Sequence, residues 1–292
     1  AVNYVEADGF IKDANGQIIG VNATDKLSGQ KYTIRCKAVI NATGVFANEV
    51  LNEDNPKHGK FIVPSQGIHI VLDKSFLKGD NAVMIPKTSD GRVLFIVPWH
   101  DKCIVGTTDV LVDEPSYEPK PLEKEIHFVM ESAQKYLNKK PTRKDVLSIF
   151  AGLRPLAAPK EEGKSTKEVS RSHKVIVHPS GMVTLTGGKW TSYRKMAEDA
   201  VDKAIEVHNL NKTKCKTYDL SIHGNMNKKD VDRSNHLYVY GSDIPAIKKL
   251  EAEKPEYAEK LHPKYDYTVA EVVWRIFWRA GSACCSSMPA WP

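Results

Sequence analysis

The densest chemistry in this 292-residue chain lies in Thr186-Gly187-Gly188-Lys189-Trp190-Thr191-Ser192-Tyr193-Arg194. Two glycines let a backbone approach a flat or anionic ligand without a Cβ in the way. The amides that follow fall at an expected helix N-terminus, where free N–H groups and the dipole favour negative charge. Lys189 adds a mobile full charge. A tight strand-to-helix turn with a surface lysine would leave the same letters, and both readings stay open on this stretch alone. Arg154, in Gly152-Leu153-Arg154-Pro155-Leu156, is the second cation. Its guanidinium offers paired donors to phosphate, and its apolar flanks favour a held, inward side chain, with a helix-capping or surface arginine as the alternative. Arg171 is a third candidate, equally readable as structural. His69 stands in Ile68-His69-Ile70-Val71, where strand alternation points it opposite to Ile68 and Ile70. An imidazole titrating near about 6.5 suits a proton acceptor. A hydrogen-bonded sheet histidine is the plainer alternative. Thr108 and Asp109 read as holders of a turn.

These groups need elements to hold them. Val183-Thr184-Leu185 reads as the strand that delivers the two glycines, and Tyr193, Met196, Ala197, Ala200, Val201, Ala204 and Ile205 fall on one face of the helix after them. Residues 38–44 form an apolar strand ending in Ala42-Thr43-Gly44, with a helix from Val45 to Leu51. A buried strand handing a glycine to a helix is a ligand-approach geometry of α/β sheets, and also plain packing. Before it, Asp13-Ala14-Asn15-Gly16 signals a hairpin within a small meander. From Phe61 to Gly106, strand-like runs alternate with turn residues such as Ser89-Asp90-Gly91, which predicts an antiparallel sheet. Leu122, Ile126, Val129, Met130, Ala133 and Leu137 then share a helical face. From about Lys212 the composition turns polar and helical.

The chain is 41% hydrophobic and 27% charged, ordinary for a soluble globular protein with room for two domains. No window reaches the roughly 18 apolar residues of a membrane span, and no basic, apolar leader marks export. The net charge is +6, much of it between Lys203 and Lys229. A solvated helical surface explains it, with attraction to anionic headgroups as the alternative. Aromatics do not interleave with the basic residues, so no nucleic-acid partner is expected. Cysteines 36, 103, 215, 284 and 285 show no metal or redox spacing, so no metal is expected. Cys36 and Cys103 read as buried thiols, consistent with a reducing compartment.

Five separated pieces line up in order: Asn41-Ala42-Thr43-Gly44; Ser65-Gln66-Gly67-Ile68-His69; Ile96-Val97-Pro98-Trp99 with Gly106-Thr107-Thr108-Asp109; Ala151-Gly152-Leu153-Arg154-Pro155-Leu156; and Gly187-Gly188-Lys189-Trp190-Thr191. Together they resemble the FAD-dependent glycerol-3-phosphate dehydrogenase family, within the D-amino-acid-oxidase-like flavoproteins. Tyr238-Gly241-Ser242-Asp243 resembles the start of that family's C-terminal helical domain. The resemblance covers the chain to about Glu271. It implies a mixed α+β and α/β fold. Residues 1–60 and 148–208 would be parts of an incomplete, Rossmann-like FAD-binding domain, 61–147 an antiparallel β substrate (cap) domain, and 212–292 a C-terminal helical domain.

The reaction implied is oxidation of sn-glycerol 3-phosphate to dihydroxyacetone phosphate. A hydride would pass to FAD, a base would take the hydroxyl proton, and a quinone would receive the electrons. His69, Arg154 and Lys189 would be catalytic, and Arg154, Arg171 and Lys189 would face the substrate phosphate; the resemblance supports His69 through Gly67-x-His69 and gives no support to His100 or His173. Gly44, Gly187, Gly188 and Thr191 would touch the flavin. The resemblance also implies a cytoplasmic location, peripheral on the inner face of the membrane. An oxygen-using α-glycerophosphate oxidase is the neighbouring alternative, and a fragment unable to hold FAD is the alternative of another class.

Two departures stand out. No G-x-G-x-x-G occurs, so the chain reads as the C-terminal portion of a longer protein. The tail Arg275–Ala290 departs from the family's basic closing helix. Moving the reading frame by one base lets it read as such a helix, which suggests a frameshift near residue 271. A divergent or vector-derived tail is the alternative.

Overall fold

The computed structural model describes residues 2–59, 61–137, 139–157 and 172–281, with side chains as far as 276. Arg171, Cys284, Cys285 and the tail beyond 281, on which the frameshift reading bears, lie outside the described residues. The chain divides into two units, residues 4–213 and residues 214–292 with 1–3.

The first unit opens with the expected meander. Strands β1 (Val5–Lys12), β2 (Ile18–Asp25) and β3 (Lys31–Arg35) pair antiparallel in sequence order. At the β1–β2 turn the Asp13 carboxylate accepts the backbone N–H groups of Asn15 and Gln17, each at 2.9 Å. Cys36, just past β3, is only half-buried, whereas Cys103 is buried as expected.

A second sheet contains the one parallel pair among the described residues. Strand β4 (Ile40–Asn41) runs parallel to β12 (Val183–Thr186), and β11 (Lys174–Val177) pairs antiparallel on the other edge of β12. Both parallel strands deliver glycine to a helix. β4 leads through the 3-10 turn Gly44–Phe46 into α1 (Ala47–Asp54), and β12 leads through the turn Trp190–Ser192 into α3 (Tyr193–Val207). On α3 only Ala200 and Ala204 are buried, while Tyr193 and Val201 stay about half exposed. The apolar stripe expected there is therefore narrower. Small alanines let the helix approach its sheet, and the larger residues fall to the side.

The large sheet is antiparallel, in the order β10 (Ser148–Ala157), β5 (Ile62–Asp73), β8 (Lys102–Gly106), β7 (Leu94–Trp99), β6 (Val83–Ile85), with β9 (Val110–Leu111) paired to β5. Its inner face carries Ile68, Ile70, Leu72, Leu94, Ile96, Cys103 and Val105, all fully buried. They pack on Ile126, Val129, Met130 and Ala133 of α2 (Glu123–Gln134), as the helical spacing predicts; Leu137 is buried with them past the helix end, whereas Leu122, expected on the same face, precedes the helix and is exposed. β10, which follows the boundary expected at 147, is a strand of this sheet. β10 pairs with β5 along its whole length, Ser148 opposite Val71 to Ala157 opposite Ile62. Gly152 and Pro155 interrupt the apolar alternation of β10, so its membership is decided by long-range pairing.

The second unit has its own core of Leu237, Ile247 and Ala270, packed with Tyr240, Ile244, Leu250 and Trp274. It holds α4 (Ile244–Glu253), the hairpin β13 (Lys260–His262) and β14 (Tyr265–Thr268), and α5 (Val269–Gly281). The stretch from 212 to 227, expected to be helical, is irregular. Gly241, at φ 53°, lies where a Cβ would stand 1.8 Å from the Gly224 carbonyl oxygen. Among the described residues no helix is long and apolar enough to cross a membrane.

Ile70 sits at the centre of the large sheet's inner face, so Ile70→Ala should cost about 2–5 kcal/mol through lost burial and the cavity left behind. Urea unfolding of the 4–213 unit, read against wild type, measures it; a loss below half a kcal/mol would place Ile70 outside the core.

Candidate functional site

Strand period and register build the first half of the site. In the β5–β10 pair, Phe150 stands opposite His69, Gly152 opposite Gly67 and Arg154 opposite Ser65. Alternate residues share a face, so these three pairs line the side of the sheet away from α2. The middle pair has no side chains. A strip of bare backbone therefore separates the histidine from the arginine.

His69 points as its alternation predicts, opposite to Ile68 and Ile70. Its ring stacks on Phe150 at 5.1 Å between centroids and lies over Gly106, where a Cβ would meet the ring at 2.4 Å. Burial, then the Arg154 charge, hold its pKa below the ordinary histidine value. The neutral imidazole is thereby favoured, as a proton acceptor requires.

Arg154 leans across Gly67. A Cβ on Gly67 would stand 2.3 Å from Nη2 and 2.5 Å from Nη1 of the guanidinium. No left-handed backbone conformation demands glycine there; the guanidinium demands the space. Nη2 donates to Thr107 Oγ1 at 2.9 Å, and Nη1 lies 3.8 Å from Asp109 Oδ1. Ser65 Oγ donates to the same Asp109 oxygen, and Arg92 Nη1 donates to the Asp109 backbone carbonyl. Asp109 thus sits between two arginines, more than the turn-holder read from sequence. Arg92 was missed there, because nothing in its local run Asp90-Gly91-Arg92 sets it apart from a turn.

The second half lies at the carboxyl ends of β4 and β12, where ligands of open α/β sheets are held. Gly44 has φ 63° and open space on its Cβ side. Gly187 and Gly188 have φ 73° and 78°, conformations that L side chains rarely adopt. A Cβ on Gly188 would also meet Met196 Sδ at 2.5 Å. Buried Asn41 fixes the first turn: its Oδ1 accepts Thr43 Oγ1 at 2.7 Å and its Nδ2 donates to the Ala47 carbonyl at 3.1 Å. Lys189 and Thr191 are exposed beside the second turn. His173, set aside from sequence, pairs with Asp199 at 2.8 Å.

The two halves adjoin. The turn Gly44–Phe46 packs beside β5 and β10, and β12 lies beside β10. Asn48 of α1 ties the start of β5 to this arrangement, accepting the N–H groups of Phe61 and Ile62 at 3.1 Å and donating to the Ile62 carbonyl at 2.8 Å. His69 and Arg154 thus share one face, and the glycine turn packs beside the two strands that carry them. Lys189 belongs to the turn group.

Arg154 is one of two causes of the lowered His69 pKa. Arg154→Met should move the His69 titration midpoint up toward the ordinary value, followed by the ring-proton NMR shifts with pH. A midpoint unmoved by the substitution would remove the coupling.

Comparison with known proteins agrees with this geometry. The family profile described as FAD dependent oxidoreductase (DAO) matches residues 1–194. The probable mitochondrial glycerol-3-phosphate dehydrogenase of Dictyostelium discoideum is 36% identical over 94% of this chain and 47% of its own length. The mitochondrial glycerol-3-phosphate dehydrogenase SDP6 of Arabidopsis thaliana is 41% identical over 76% of this chain and 36% of its own. The crystal structure of a glycerol-3-phosphate dehydrogenase from Bacillus halodurans, complexed with FAD, superposes with a TM-score of 0.76 at 28% identity, covering 94% of this chain and 56% of that one. The chain therefore spans less than half the length of these two relatives. With the family profile matching two thirds of the chain and the fold agreeing, this chain belongs to the DAO-type FAD-dependent oxidoreductases.

Proposed function

We propose that the strip between His69 and Arg154 is the substrate side of an FAD-dependent oxidation of sn-glycerol 3-phosphate to dihydroxyacetone phosphate, with a quinone as final acceptor. The observation that carries this reading is the packing of the Gly44–Phe46 turn against β5 and β10, which brings a close-approach backbone beside the two strands that carry one imidazole and one guanidinium. The residues fit a flavin: Gly44 leaves open space, and Gly187 and Gly188 present left-handed backbone ahead of a helix start. When bound, FAD supplies the hydride acceptor.

This chain's own residues do the rest. His69 accepts the proton of the C2 hydroxyl at a ring nitrogen, which its lowered pKa keeps available. Arg154 offers two N–H groups to the substrate's phosphate or oxygens. Lys189 brings a second charge to the flavin edge, and Thr191 a hydroxyl and an amide. Arg171 is the third phosphate cation in this reading. Residues 61–157 serve as the substrate domain, with 1–60 and the chain from 172 to 208 on the cofactor side. Peripheral attachment to a membrane surface belongs to the same proposal. The names of the relatives support the choice of substrate.

The activity is proposed for the full-length protein, in which anaerobic sn-glycerol 3-phosphate should bleach the flavin absorbance; a flavin that stays oxidised overturns the activity, whereas a purified 292-residue chain that stays colourless with added FAD favours the fragment unable to hold the cofactor. His69→Asn should slow flavin reduction in single turnover by roughly 10²-fold, and an unchanged rate rejects His69 as the base. Arg154→Ala should raise KM and lower kcat together. Reoxidation faster with a quinone analogue than with oxygen supports the dehydrogenase, and the reverse order the oxidase.

A further inference from the structure

The Arg154 guanidinium rests on Thr107 and Asp109, residues of the segment that joins β8 to β9. That segment is held from behind. Thr108, buried, accepts the Ile68 backbone N–H at 2.9 Å and donates from the same hydroxyl to Glu125 Oε1 at 2.5 Å. Glu125 belongs to the first turn of α2 and is 1% exposed. Its other oxygen accepts Gln66 Nε2 at 2.6 Å and the Leu122 N–H at 3.1 Å. A carboxylate withdrawn this far from water needs every such donor. Gln66 and Ile68 flank Gly67, the residue over which Arg154 lies. The buried group therefore grips both walls of the berth: β5 directly through Gln66, and the Thr107–Asp109 segment through Thr108, whose hydroxyl also accepts the Ile68 N–H.

We propose that Glu125, acting through Thr108, is a positioning residue for Arg154: the latch that keeps Thr107 and Asp109 where they hold the guanidinium over Gly67. The latch rests on the reading of Arg154 as the substrate's cation. Helix capping alone would account for the bond from Leu122, and it would make no demand on the Thr108 hydroxyl. The latch makes that demand. It also ties the arginine to the helix packed on the opposite face of the same sheet, so the guanidinium is held by a rigid element and not by the connecting segment alone.

The test reads Arg154 in the whole chain by 15N NMR of arginine side chains, assigned by the signal lost in Arg154→Lys. A held guanidinium shows resolved Nη signals, and a freely turning one a single averaged signal. Thr108→Val removes both hydroxyl bonds at nearly constant volume. It should average the Arg154 signals and weaken calorimetric binding of sn-glycerol 3-phosphate about tenfold or more, as misplacement of a positioning group does. Thr108→Ser keeps the hydroxyl and should restore both readouts. Glu125→Gln puts an amide opposite Gln66 and should fall between them; where Thr108→Val does not fold, Glu125→Gln decides alone. Resolved Arg154 signals in a folded Thr108→Val, or in Glu125→Gln in that case, overturn the latch. A wild-type chain with resolved Arg154 signals that takes up no sn-glycerol 3-phosphate instead overturns the substrate reading, and leaves the latch to be judged by the NMR signals.

Discussion

The antiparallel pairing of β5 with β10 is the constraint on which the site depends. Ten residue pairs hold the register without a slip. A shift of one residue would turn every side chain to the opposite face. His69 would then face α2, and Ile68 and Ile70 would meet solvent. The apolar core of Ile68, Ile70 and Leu72 against α2 prevents that slip. The hydrophobic effect on one face thus fixes the chemistry on the other.

Charge is arranged on that second face with care for its neighbours. Arg154 lies near enough to His69 to disfavour an imidazolium, and burial works in the same direction. Two like charges side by side would otherwise repel, and a neutral histidine avoids the conflict. Asp109, lying between Arg92 and Arg154, relieves the crowding of cations. Buried polar groups are costly unless bonded, and here Gln66 and Thr108 both donate to Glu125, while Ser65 donates to Asp109. The polar residues behind the site are therefore a connected network.

The second sheet contributes geometry where the first contributes charge. Two parallel strands end on glycines in left-handed conformation, each followed by a helix start. Asparagines, with no charge to desolvate, do the fastening: Asn41 closes the first turn, and Asn48 clasps the beginning of β5. An amide can donate and accept at once, which suits a junction where a helix and a strand both leave backbone groups unpaired.

Much of this was legible in the residues. Alternation predicted which way His69 would point, the spacing of Ile126, Val129, Met130 and Ala133 predicted the buried face of α2, and paired glycines predicted the turn before α3. Each is a local pattern, written within one or two turns of chain. Tertiary structure decided what local pattern cannot carry. It placed β10 in the large sheet, because strand partners are chosen across dozens of residues. It brought Gly67 opposite Gly152, so that two unremarkable glycines became a gap between a histidine and an arginine. It put Arg92 and Glu125 to use, although each looks in sequence like a turn or surface charge. The sequence alone determined which residue types were available and which faces would be apolar. Which of them meet was decided by register and burial, since a contact between distant residues exists only once the chain has paid the entropy of bringing them together.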